Sequence, residues 1–348
     1  MPAKKIRVLV VDDSLFMREF IASEISKDQG IEVVGKASDP FEARDRIVEL
    51  TPDVMTLDIQ MPKMNGIEFL KKLMPQFPLP VVVVSSVDGV VFDALDAGAV
   101  DFINKSGMKN EREKQSFISE LLVKIKIASI AKVGKHKHSP ERGAIAQKAV
   151  SDARGDSLIA IGASTGGTEA TVGVLKQLSN DLPGIVIVQH MPPVFTRLYA
   201  QRLNDECAME VKEANDGDIV RPGTALIAPG GLHMYVVKRG ASLRVECREG
   251  EKVSGHCPSV DVLFDSVSKL RGINSLGIIL TGMGSDGAKG LLAMKKAGAS
   301  TIGQDKQTCV VYGMPAVAYN IGAVDVQLSL ASMPRQIYKW YNGLGTEA

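Results

Sequence analysis

The chain has 348 residues, and 41 Lys and Arg against 40 Asp and Glu leave a formal net charge of +1. That length suits two domains at roughly 100–200 residues each, and near-neutral charge removes the simplest case for a nucleic-acid or membrane-surface binder. Four cysteines, Cys207, Cys247, Cys257 and Cys309, form no C-x-x-C pair, which excludes a disulfide scaffold and argues against zinc. No apolar run approaches the ~20 residues of a membrane span and no signal-peptide h-region opens the chain, so a cytoplasmic, thiol-reduced protein is expected.

Residues 1–130 alternate between two periodicities. Ile6 to Val11, Glu32 to Gly35, Val54 to Leu57, Val81 to Val84 and Val100 to Ile103 are short, continuous, β-branched apolar runs. Such runs suit the strands of a parallel sheet buried on both faces. Between them lie helical stripes: Met17, Phe20, Ile21 and Ile25; Ile67, Leu70 and Met74; Ile118, Leu121, Ile125 and Ala128. Repeated βα units predict a doubly wound α/β domain of five strands.

Residues 131–155 change in texture. Lys132 to Arg154 holds six Lys and Arg against two acids, with His136, His138, Ser139, Pro140 and Gly143 in the same stretch. An exposed basic linker is expected, its charge serving either solubility or docking to an acidic partner.

Residues 156–348 form a second body. Leu158 to Ile161, Ile185 to Val188 and Leu276 to Leu280 read as strands, and Thr168 to Leu178, Thr196 to Asn204 and Gly287 to Lys296 as helices. A hairpin is expected around Ala225 to Cys247, with Gly230-Gly231 and Arg239-Gly240 as turn signals. This predicts a second doubly wound α/β domain with an added antiparallel hairpin.

In the first domain Asp12, Asp13 and Asp58 directly follow apolar strands. They should converge at the carboxyl edge of the sheet, where open parallel sheets bind ligands. An Asp in that position is more often a cap or turn former. Three clustered carboxylates, however, favour a hard cation such as Mg²⁺. Ser85 adds a hydroxyl and Lys105 an ammonium at neighbouring strand ends, which together suit a phosphoryl group. These residues resemble the receiver domains of two-component response regulators, on Val-Val-Asp12-Asp13-Ser, Asp58-Ile-Gln-Met-Pro-Lys-Met-Asn-Gly66, Val-Ser85-Ser86 and Asp-Phe102-Ile-Asn-Lys105. The resemblance implies that Asp58 is the phosphoacceptor and that Asp12, Asp13 and Asp58 hold Mg²⁺. It also implies that Ser85 and Lys105 sense the phosphoryl group and that Phe102 is the aromatic switch.

In the second domain Gly162-Ala-Ser164-Thr165-Gly166-Gly167 follows a strand and precedes a helix. A phosphate-cradling loop fails here, because it needs Lys where Thr168 stands. G-x-S-x-G, a tight turn exposing a serine hydroxyl, fits instead, beside the alternative of a glycine-rich turn with no chemistry. His190 sits at the end of another strand and is the best base. His136 and His138 lie in the linker, His233 starts a strand, and His256 is the one serious rival. Asp286, in a glycine-rich turn after a third strand, could orient the base, cap the following helix, or both. Its order in the chain, after Ser164 and His190, departs from that of α/β-hydrolases.

These residues carry a second resemblance, on Gln-His190-Met-Pro, Pro-Ser259-Val-Asp-Val-Leu-Phe264, Thr281-Gly-Met283-Gly-Ser-Asp286-Gly and Tyr312-Gly-Met-Pro315. With the serine motif they look like the chemotaxis protein-glutamate methylesterases, whose order of receiver, linker and catalytic domain spans almost the whole chain. The resemblance implies hydrolysis of glutamate γ-methyl esters on the cytoplasmic helices of chemoreceptors, in some members with glutamine deamidation. It implies Ser164 as nucleophile, His190 as acid/base, Asp286 as orienting carboxylate, and an oxyanion site at the Thr165 and Met283 amides. It further implies phosphorylation by the chemotaxis histidine kinase that relieves obstruction by the receiver, with no cofactor for the hydrolysis itself. The alternative is a response regulator whose output domain binds a partner without catalysis. A DNA-binding output ranks far behind, for want of a helix-turn-helix signal.

Overall fold

The computed structural model describes residues 4–86, 88–106, 108–134 and 157–343. The expected linker lies outside the described residues from position 135 onward. The chain divides into two compact units, Met1–Lys137 and His138–Ala348.

The first unit runs β1 (Ile6–Val11), α1 (Leu15–Ile25), β2 (Ile31–Ala37), α2 (Pro40–Leu50), β3 (Val54–Asp58), α3 (Gly66–Leu73), β4 (Val81–Ser85), α4 (Val91–Asp96), β5 (Asp101–Asn104) and α5 (Glu111–Ala128). All strands pair parallel in the order β2-β1-β3-β4-β5. The apolar runs form these strands because helices cover both faces: every residue of β3 and β4 is buried. Helices start where a side chain accepts the orphan amides, as Asp39 does for Phe41 and Glu42, and Asn65 for Glu68. The closing stripe Ile118, Leu121, Ile125 and Ala128 is buried as expected. The α3 stripe is not: Phe69, Leu70 and Leu73 face the core, while Ile67 and Met74 are half-buried. Gly66 donates its N–H to the Ile59 carbonyl (2.8 Å), and this tether at the exit of β3 sets the helix phase.

The second unit runs β6 (Ser157–Ala163), α6 (Gly167–Leu175), β7 (Gly184–Gln189), α7 (Phe195–Glu206), β8 (Glu210–Glu213), β9 (Thr224–Ile227), β10 (His233–Arg239), β11 (Ser242–Arg248), α8 (Val260–Ser268), β12 (Asn274–Ile279), α9 (Ala288–Lys296), β13 (Ser300–Gln304), α10 (Met314–Asn320), β14 (Val326–Leu328) and α11 (Met333–Gly343). Its sheet is parallel throughout, in the order β14-β13-β12-β6-β7-β9-β8. The order reverses at β6, so the switch-point crevice lies between β6 and β12.

β10 and β11 form a separate antiparallel hairpin. Met234, Val236 and Val245 from the hairpin share one core with Val260, Leu263 and Phe264 of α8. The expected hairpin therefore begins at His233 rather than Ala225. Ala225 lies in β9, a short parallel strand of the main sheet, and Gly230-Gly231 is the bend that leaves the sheet. Among the described residues no helix is long and apolar enough to cross a membrane.

Candidate active site and acidic pocket

In the first unit Asp12 follows β1, Asp58 ends β3, Ser85 ends β4 and Lys105 follows β5. They meet at the carboxyl edge, beside the β1/β3 switch point. Asp12 and Asp58 are buried and Asp13 is exposed. One carboxylate oxygen from each of the three lies within 4.8 Å of the others. Lys105 Nζ reaches Asp58 Oδ2 at 2.8 Å and Asp12 Oδ2 at 3.2 Å. Burial pushes the Asp12 carboxyl up, Lys105 pulls it down and Asp58 pushes it up again, and the balance stays above the ordinary range. Burial alone would lower the Lys105 ammonium, but its bonds to Asp58 and Asp12 hold it above the usual lysine value. Three hard oxygen donors in this space form a set that could bind a metal ion.

Ser85 is buried, whereas Ser86 is exposed and donates to Gln60 Oε1 (3.3 Å). Phe102 is buried, with Lys124 Nζ 5.7 Å from its ring centre.

In the second unit Ser164 leaves β6, His190 leaves β7 and Asp286 follows β12, so three adjacent strands deliver the three side chains to one edge. The Ser164 turn is clamped from its neighbours. Its N–H donates to the Thr281 carbonyl (3.0 Å), and its own carbonyl accepts from Gly167 N–H (2.7 Å). Thr281 Oγ1 donates to the Thr165 carbonyl (3.0 Å). Only glycine fits at position 282, because a Cβ there would come within 2.6 Å of Ser164 Cβ.

The candidate base and its candidate orienting acid are directly joined: His190 Nε2 lies 2.7 Å from Asp286 Oδ2, with both side chains nearly buried. A carboxylate only accepts, so Nε2 carries the proton and Nδ1 keeps the lone pair. Nδ1 is buried with no hydrogen-bond partner among the described residues. With Nε2 on Asp286 and Nδ1 unpartnered, the imidazole shares an edge with Ser164 without being hydrogen-bonded to it.

Asp286 does not cap the helix that follows it; the N-cap of α9 is Gly287, with no side-chain bond. It caps α8 instead, across 26 positions of sequence. Asp286 accepts from Ser259 Oγ (2.8 Å), Val260 N–H (2.7 Å) and Asp261 N–H (3.0 Å). Burial pushes its carboxyl up, but His190 and these donors outweigh burial and hold it below the ordinary range.

His256 is not remote. Its ring stacks on His190, with centroids 3.6 Å apart and planes 8° apart. His233 is buried, accepts from Ser259 N–H at Nδ1 (3.2 Å) and donates from Nε2 to the Glu251 carbonyl (2.8 Å), a structural role. The Met283 side chain is 41% exposed, and Thr165 is buried. Sequence reasoning attaches no role to Ser259, Thr281 or Gln189. Ser259 alone carries a local signal, a serine directly before the apolar helix Val260–Ser268.

Comparison with known proteins follows the same division. The CheB methylesterase family matches residues 159–337 and the response regulator receiver domain matches residues 8–115. The protein-glutamate methylesterase/protein-glutamine glutaminase 2 of Syntrophomonas wolfei is 55% identical over 99% of this chain and 100% of its own length. The protein-glutamate methylesterase/protein-glutamine glutaminase of Syntrophotalea carbinolica is 52% identical over 96% of this chain and 97% of its own. Among solved structures, the catalytic domain of a Thermotoga maritima CheB methylesterase superposes with a TM-score of 0.52 at 36% identity, covering 53% of this chain and 98% of that one.

Proposed function

Because this chain belongs to the CheB methylesterase family and carries a receiver domain ahead of the esterase domain, we propose that it is a phosphorylation-activated serine hydrolase that removes methyl groups from glutamate methyl esters of chemoreceptors. The observation that carries the reading is the His190–Asp286 bond, which leaves the His190 Nδ1 lone pair as a base at the edge where Ser164 sits. Residues 1–130 act as the receiver, 131–155 as a basic linker and 156–348 as the catalytic domain, working in the cytoplasm.

Ser164 Oγ attacks the ester carbonyl and its proton passes to His190 Nδ1, a contact that closes when substrate is bound. Asp286 keeps the ring in the right tautomer and offsets the imidazolium charge. The Thr165 and Met283 amides face the developing oxyanion. His190 then protonates the leaving methanol, and water repeats the cycle on the acyl-serine. A glutamine side chain expels ammonia by the same route, though its poorer leaving group leans harder on the His190 proton. That extends to this chain the glutaminase activity in its relatives' names.

In the receiver, Asp58 accepts phosphate from the chemotaxis histidine kinase. Asp12, Asp13 and Asp58 would hold Mg²⁺, which supplies charge compensation for the transferred group. Ser85 and Lys105 read the phosphoryl group, Phe102 acts as the switch, and activation follows.

Methanol release from methylated chemoreceptor membranes, with and without a small phosphodonor and Mg²⁺, tests the reading. Release that rises with phosphodonor and vanishes in Ser164→Ala is expected. No release from the folded protein would favour a partner-binding output domain.

A further inference from the structure

We propose that Gln189 is a positioning residue that ties the nucleophile turn to the base turn; this rests on Ser164 as nucleophile and His190 as base. Gln189 is the last residue of β7 and is 3% exposed. Its Nε2 donates to the Ser164 carbonyl at 2.9 Å and to the His190 carbonyl at 3.3 Å. One amide thus holds the backbone of both reacting residues. Backbone bonds support the same turns: His190 N–H donates to the Ala163 carbonyl (3.1 Å), Gly167 N–H to the Ser164 carbonyl (2.7 Å), and Ser164 N–H to the Thr281 carbonyl (3.0 Å); the Gln189 amide adds the side-chain tie that reaches both reacting residues.

The arrangement carries a cost that packing alone does not explain. Gln189 Oε1 is buried with no hydrogen-bond partner among the described residues. It lies where a Cβ on residue 167 would come within 2.4 Å, so Gly167 makes room for it. An unpaired buried amide oxygen is unfavourable, and a methionine of similar length would avoid it. What methionine cannot do is donate to two carbonyls. Small errors in the placement of reacting groups are expensive, because catalysis depends on the near-attack geometry.

Two variants of the full-length protein test this, Gln189→Met and Gln189→Glu. The probe is a fluorophosphonate, which reads Ser164 reactivity without the receptor: the Oγ–P bond forms, the P–F bond breaks, fluoride leaves, and the serine proton passes to His190 Nδ1. Labelling of Ser164 is followed by mass spectrometry and methanol release by kcat and KM. Gln189→Met should lower the labelling rate and kcat roughly ten- to a hundredfold with KM unchanged. In Gln189→Glu, burial among carbonyl oxygens raises the new carboxyl's pKa. Protonated, it donates one bond; ionised, it repels both carbonyls. Its labelling rate should therefore fall as pH rises through neutrality, a limb the Gln189 protein lacks.

A Gln189→Met labelling rate within twofold of wild type would overturn the proposal. So would a Gln189→Glu pH profile of wild-type shape, which would reduce Gln189 to packing. If Gln189→Met does not fold, the Gln189→Glu profile, read against its own maximum, decides. Wild-type labelling without methanol release would remove the substrate reading and leave the positioning role to these variants. No labelling of wild-type Ser164 would overturn both.

Discussion

The rings of His190 and His256 stack face to face at 3.6 Å, and His190 is joined at its Nε2 to the Asp286 carboxylate. The bond to Asp286 is what makes His190 the proposed base. His190→Ala should abolish methanol release at pH 7. His256→Ala removes a stacking partner and one wall of the imidazole's surroundings, an effect of about 1 kcal/mol for a ring pair. The expected loss is roughly two- to tenfold in kcat. Full activity of His190→Ala with an inactive His256→Ala would reverse the assignment.

Asp286 serves His190 and the start of α8 at once, so its replacement has two consequences. Asp286→Asn no longer enforces the Nε2–H tautomer, and kcat should fall by about a thousandfold or more. The carboxyl is held below its usual pKa, so its contribution to stability is complete above the unfolded value of about 3.9 and is lost as pH falls through the folded one. The melting-temperature gap between wild type and Asp286→Asn should therefore be constant from pH 7 to 5 and narrow below pH 4. A gap unchanged down to pH 2.5 would show that the stabilising interaction is not with the ionised form.

The candidate site residues were readable because each follows a continuous apolar run, and a parallel sheet collects its strand ends at one edge. That rule put Ser164, His190 and Asp286 at one edge and Asp12, Asp58 and Lys105 at another, while the G-x-S-x-G turn and the resemblances supplied the roles. The unread strands lack the signal. β13 is Ser-Thr-Ile-Gly-Gln, β14 has three residues, and β8 alternates charge along a sheet edge. The contacts that hold the site, Ser259 and the α8 amides on Asp286 or Gln189 on the Ser164 carbonyl, join distant segments, and no local periodicity announces them.

Lys105 bridges Asp12 and Asp58 in the acidic pocket; a neutral amide of the same shape at position 58 keeps the volume and removes the carboxylate oxygen proposed to accept phosphate. Asp58→Asn should retain basal methanol release and lose all stimulation by a small phosphodonor. Normal stimulation in this variant would place the phosphoacceptor elsewhere.

Val194, the residue just before α7, has φ +76 and ψ −47 and is 48% exposed. A β-branched residue is a clear outlier at positive φ, and holding it there costs about 1–3 kcal/mol. Glycine adopts that backbone freely but gives up about 0.5–1 kcal/mol through its freer unfolded chain. Strain relief is the larger effect, little packing is lost at so exposed a site, and glycine is acceptable before a helix. Val194→Gly should therefore stabilise the second unit by about 1 kcal/mol, a rise of roughly 2–4 °C in its unfolding transition. Calorimetry of the full chain reads that transition directly. A fall in melting temperature would mean that the isopropyl group makes contacts worth more than the strain it imposes.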